Sequence, residues 1–176
     1  MTTTFTKGNE TLKIEQHTFL SESPREWDNL GTMVFLGRHS HLGDKHDIET
    51  VEDANRIEER SISLPVYMYS HSGETIATTP FSCPWDSGKL GFIYVTHKRA
   101  MEHLGWKSIT PKRKEKLLKY LEGEVETLDQ YIRGDVYGFT YTNDKGEEDS
   151  CWGFYGDDFD AIFDHIGEKK EDWKEV

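Results

Sequence analysis

Four short stretches mix aromatic rings with carboxylates: PREWDN (24–29), SCPWDSG (82–88), DQYIRGD (129–135) and DSCWG (149–153). They supply Asp28, Asn29, Asp86, Asp129, Asp135 and Asp149 together with Trp27, Trp85, Tyr131 and Trp152. If the stretches meet at one sheet edge, they form a cleft of carboxylates between aromatic walls. Such a cleft suits a cation, a sugar-like ligand or a nucleobase stacked on an indole. The competing structural reading is that the Asp and Asn residues close turns and cap helices while the indoles plug the edge of a core. Two thiols, Cys83 and Cys151, lie inside these stretches. Cys83 stands between Pro80 and Pro84, and a nucleophilic thiol there needs a base or a cation, for which His71 and His97 are the candidates. Alternation along EDSCWGF places Asp149, Cys151 and Gly153 on one face and Ser150, Trp152 and Phe154 on the other.

GRHSHLGDKHD (37–47) offers His39, His41 and His46 with Asp44 or Asp47 as a possible zinc set. The spacing is a weak signature, and no HExxH, CxxC, Walker loop or GxGxxG occurs. No metal and no cofactor is assigned. A stronger anomaly lies in the charges. Residues 97–120 carry eight Lys/Arg against two Glu, so a segment of +6 sits in a chain of net charge −12. The longest amphipathic stretch begins with Lys112, Arg113, Lys114 and Lys116 and ends with Glu122, Glu124, Glu126 and Asp129. That order opposes the helix dipole, which favours acids first and bases last by about 0.3–1 kcal/mol per charge. A lysine-lined helix start would hold a phosphate or a nucleic-acid backbone. The acidic run from Asp144 to Asp164 suggests the opposite partner, a basic protein surface.

The elements that must position these groups follow from patterning. Strands are expected over TLKIEQHTF, GTMVFLG, LPVYMYS, ETIATT and KLGFIYVT, and a hairpin over DVYGFTYT–NDKG–EEDSCWGFYG. Helical segments are expected after Ser23, Thr50, Thr96 and Thr110, each a capping residue. In the last of these, Leu117, Leu121, Val125, Leu128 and Ile132 form one apolar stripe. A final amphipathic helix holds Phe159, Ile162, Phe163 and Ile166. The expected fold is α+β, a mainly antiparallel sheet with one long and several short helices packed on it. One domain, 1–176, is expected, with loose tails at 1–10 and 168–176. No apolar run is long enough for a membrane span, no secretion signal opens the chain, and two cysteines make no disulfide scaffold.

The strings ESPREWDNLGTM, SCPWDSGKLGFIYV, EVETLDQYIRGDVYGF and DSCWGFYG resemble a family of small uncharacterised proteins of tailed bacteriophages and prophages. The resemblance runs from about Ser23 to Gly156. The histidines of GRHSHLGDKHD depart from that family's pattern, which weighs against a metal site. The resemblance implies a viral or prophage gene product working in the cytoplasm of a host bacterium, and it transfers no activity and no site residue. Two readings follow. In the first, the chain is an accessory protein of anti-defence or host-takeover type that binds a host or defence protein, or nucleic acid, through its charged faces. In the second, it is an enzyme or small-ligand binder built on the Trp/Asp/Cys stretches.

Overall fold

The computed structural model describes residues 1–17, 22–48 and 50–176. Thr18 and Phe19 of the expected first strand, and Glu49 ahead of the expected helix after Thr50, lie outside them. In chain order the elements are β1 (Thr2–Lys7), β2 (Glu10–Gln16), β3 (Thr32–Phe35), α1 (Val51–Arg60), β4 (Ile62–Ser70), β5 (Glu74–Ala77), β6 (Ser87–Val95), α2 (His97–Leu104), α3 (Pro111–Arg133), β7 (Val136–Thr142), β8 (Glu148–Tyr155), α4 (Asp160–Ile166) and β9 (Lys174–Glu175). The class is α+β. The strands are antiparallel and fall into two sheets, ordered β8-β7-β2-β1-β9 and β3-β6-β4-β5. The chain divides into two compact units, a terminal one (Met1–Ser21 with Gln130–Val176) and a central one (Glu22–Asp129). No helix among the described residues is long and apolar enough to cross a membrane.

In the terminal unit, alternation along the strands sends Phe5, Leu12, Ile14, Tyr137 and Phe139 into one core with Ile162 and Phe163 of α4. Neither end is the loose tail expected of it. Residues 2–7 are a paired strand, and Trp173 is buried in the same core, with β9 paired to β1. The sequence TTTFTK already has the β-branched and aromatic content of a strand. The expected faces of β8 need one correction. The register slips by one residue where Tyr137 pairs with Phe154 and Gly138 with Trp152, leaving Gly153 (φ 94°) as the extra residue. Cys151 and Trp152 do point apart, but past the bulge Phe154 returns to the side of Cys151 and packs on the core.

In the central unit the apolar stripe of α3 is buried at Leu117, Leu121, Val125 and Leu128. Gly31 is packed tightly between α3 and the sheet: a Cβ there would lie 2.6 Å from the side chain of Leu121 and 2.8 Å from that of Ile93. A second cluster, Val34, Ala54 and Phe92 with Ile48 and Ile57, joins α1 to the sheet. Pro65 is tolerated within β4 because β5 pairs only with Tyr67–Ser70, so one edge of the strand at Pro65 has no partner. The hydroxyls of Thr50, Thr96 and Thr110 accept from the backbone N–H three residues on, as their positions lead one to expect.

Candidate functional site

The PREWDN loop is held by charge. Ser23 and Pro24 start a single 3₁₀ turn over Pro24–Glu26, which brings Arg25 inward until its side chain is 5% exposed. Its guanidinium donates to both oxygens of Asp44 (3.1 and 2.7 Å), to Glu124 Oε2 (2.9 Å) and to the Gly31 carbonyl (2.9 Å). The carboxylates are used on their other side as well. Glu124 Oε1 accepts from the backbone N–H of Leu30 and Gly31, both at 2.9 Å, and Asp44 Oδ2 accepts from Met33 N at 2.7 Å. Burial works against the charge of Arg25, but the hydrogen bonds to Asp44 and Glu124 outweigh it and hold the pKa above the ordinary guanidinium value. Such a triad is costly to break from one side, because the remaining ion stays buried.

Outside this clamp, the loop and α3 form a groove of about 360 Å³. The loop contributes Pro24, Trp27 and Asn29, and the helix contributes Lys119, Tyr120, Gly123 and Thr127. Trp27 is 45% exposed and Tyr120 42%. Gly123 lies inside a helix, where glycine costs about 1 kcal/mol relative to alanine, yet a Cβ there would meet nothing within 4 Å. Packing within the chain therefore does not require it. Lys112, Lys116, Tyr120, Gly123 and Thr127 follow one another at steps of three or four, so they share one side of α3. The Lys116 ammonium sits 5.5 Å from the Tyr120 ring centre, and the Arg113 guanidinium 4.9 Å from that of Trp106. Arg113 is further held by the Ser108 carbonyl (2.8 Å). Lys112, Lys114, Lys116 and Lys119 make no ion pair with any described residue.

SCPWDSG lies elsewhere in the central unit. Trp85, 92% exposed, and Asp86 line a second groove of about 500 Å³ with Arg38, His39, Ser70 and Lys89. Asp86 Oδ2 lies 3.6 Å from the Cys83 thiol and 3.4 Å from His71 Nδ1. The carboxylate thus stands between thiol and imidazole. A nucleophilic thiol needs the imidazole next to it and the carboxylate behind, so His71 does not reach the proton of Cys83 in this arrangement. The histidines of GRHSHLGDKHD turn to local partners: His41 Nδ1 faces the Arg38 carbonyl at 3.3 Å, His46 Nε2 the Phe35 carbonyl at 3.2 Å, and His39 Nδ1 faces Glu74 at 3.5 Å. Among the described residues no three His, Cys, Asp or Glu side chains gather as metal ligands.

The twelve cleft residues are therefore distributed. Trp27 and Asn29 line one groove, Trp85 and Asp86 another, and Cys83 sits against Asp86. Asp28 is exposed. Asp129 accepts from Thr75 Oγ1 and Ile76 N, both at 2.7 Å, and so ties β5 to α3. Tyr131, Asp135, Asp149, Cys151 and Trp152 belong to the terminal unit. There Asp135 pairs with Arg133 (2.8 Å), Asp149 is exposed, Cys151 packs on the core, and Trp152 covers Gly138 with His17 5.3 Å away.

No family model, curated protein or solved structure matches the chain. The site rests on its own chemistry. Sequence reasoning singled out Lys112, Arg113, Lys114 and Lys116 for anion binding and counted Lys119 in the basic segment, but missed Tyr120 and Gly123. The signal was present: the Lys112–Lys116–Tyr120–Gly123 spacing is helical, and a mid-helix glycine without a turn beside it is a departure from helix propensity. The Arg25–Asp44–Glu124 clamp was not legible, since its members are far apart in the chain.

Proposed function

We propose that this chain is a phage or prophage accessory protein that acts in the host cytoplasm by binding, and that its partner is nucleic acid, met by the basic half of α3. The observation that carries this reading is the row Lys112, Lys114, Lys116 and Lys119 on α3, none of them ion-paired with a described residue, with the exposed Tyr120 ring beside Lys116. Lysines contact phosphates and exposed rings receive bases, and the two together are the usual equipment of a single-strand binder. The Trp/Asp/Cys reading as an enzyme has less support, because Asp86 intervenes between Cys83 and His71. The test is the affinity of labelled oligonucleotides as a function of salt. Binding should weaken steeply between about 50 and 200 mM salt, and the triple variant K112E/K114E/K116E should lose it while Cys83→Ala and Asp86→Ala keep it. Absence of binding by the unaltered protein at low salt would overturn the reading. Recovery of a host protein whose capture survives the triple variant would do so equally.

A further inference from the structure

We infer that the groove between the PREWDN loop and α3 is a slot for one unstacked base, so that the protein selects single strands over duplexes. The inference rests on the nucleic-acid reading above and goes further by assigning the groove and the strandedness. Its volume of about 360 Å³ is at the small end of ligand clefts, roughly 300–1,000 Å³, which suits one ring system. Two large rings, Trp27 and Tyr120, line it and keep a little under half of their surface exposed. Its floor is Gly123, where the helix gives up stability and gains only open space. Arg25 and Glu124, which also line it, are committed to each other and to the backbone of Gly31 and Leu30. They hold the loop in place and offer a ligand little. What faces a ligand is therefore ring surface and cation: Lys119 lines the groove and Lys116 lies over the Tyr120 ring. Lys112 continues the same side of the helix toward its start. A strand following that side would place phosphates on the lysines and one base between the loop and Tyr120. A base paired within a duplex has its faces covered by its neighbours and cannot enter.

The test compares three labelled probes on the full chain: a twelve-base oligothymidine, the same strand with abasic sites in place of its bases, and a twelve-base-pair duplex. The oligothymidine should bind about tenfold to a hundredfold more tightly than the other two, the range expected for stacking one base. Gly123→Leu fills the slot with a residue that suits a helix and leaves every lysine in place. It should reduce oligothymidine affinity to the abasic level and leave duplex binding unchanged. Tyr120→Leu, at an exposed position, should act in the same direction if Gly123→Leu does not fold. Equal binding of the intact and abasic strands, or oligothymidine affinity that both variants leave untouched, would overturn the slot while leaving nucleic-acid binding standing. A groove that receives a protein side chain instead would give that second result. Failure of all three probes to bind would remove the underlying reading and the slot with it.

Discussion

The two halves of α3 break the same rule for different reasons. Both place charges against the helix dipole, with bases at the start and acids toward the end. In the acidic half the structure supplies the compensation. Glu124 receives Arg25 and two backbone N–H groups, Asp129 receives Thr75 and Ile76, and Glu122 lies 3.5 Å from the Thr78 hydroxyl. These acids are where they are because a loop and an edge strand need acceptors, and hydrogen bonds to a charged group outweigh a dipole term of about 0.3–1 kcal/mol. The basic half has no such account: its lysines meet no carboxylate among the described residues. Gly123, set between Glu122 and Glu124, is uncompensated too, leaving space that no described residue fills. A local rule broken with compensation marks architecture, and the same rule broken without it marks a surface kept for something outside the chain.

This contrast can be broken at several points. Arg25→Ala leaves Glu124 and Asp44 part-buried without their cation and should destabilise the protein by about 3 kcal/mol in urea unfolding. A loss below about 1 kcal/mol would mean the clamp is not structural. Asp129→Ala strands the N–H of Ile76 and should cost about 1–3 kcal/mol by the same measurement. At the uncompensated positions the sign should invert. Gly123→Ala should raise stability by about 1 kcal/mol, and a decrease would show that the glycine serves the fold. Lys112→Glu and Lys114→Glu, placing acids near the positive end of the dipole, should each stabilise by about 0.3–1 kcal/mol while weakening oligonucleotide binding. Should either destabilise the fold, these lysines have a structural partner and the contrast between the halves disappears.

How much of this was legible depended on range. The caps at Thr50, Thr96 and Thr110, the buried stripe of α3 and the β7–β8 hairpin each depend on residues close in sequence, and each is found where the pattern puts it. The division of the strands into two sheets was not legible, because it turns on β2 choosing β7 far down the chain. Glu124 illustrates the same limit for the site: it reads as a misplaced surface charge until Leu30 and Gly31 are brought to it. The slip at Gly153 moved Phe154 to the other face, a change that a period of two cannot anticipate. Trp85 and Trp27 occur in similar-looking strings yet line separate grooves, so likeness of composition did not mean nearness.

The pairing of β2 with β7 also has a consequence in time. β1 and β2 are made before the central unit, with Phe5, Leu12 and Ile14 on one side of a ribbon that lacks its neighbours. Their partner β7 is made about 120 residues later, roughly 6–24 s at common rates of synthesis. The central unit, whose strands pair only among themselves, is complete before then. During translation the β1–β2 hairpin is made before the central unit, and its apolar side stays open to chaperones until β7 and β8 supply the other half of its sheet.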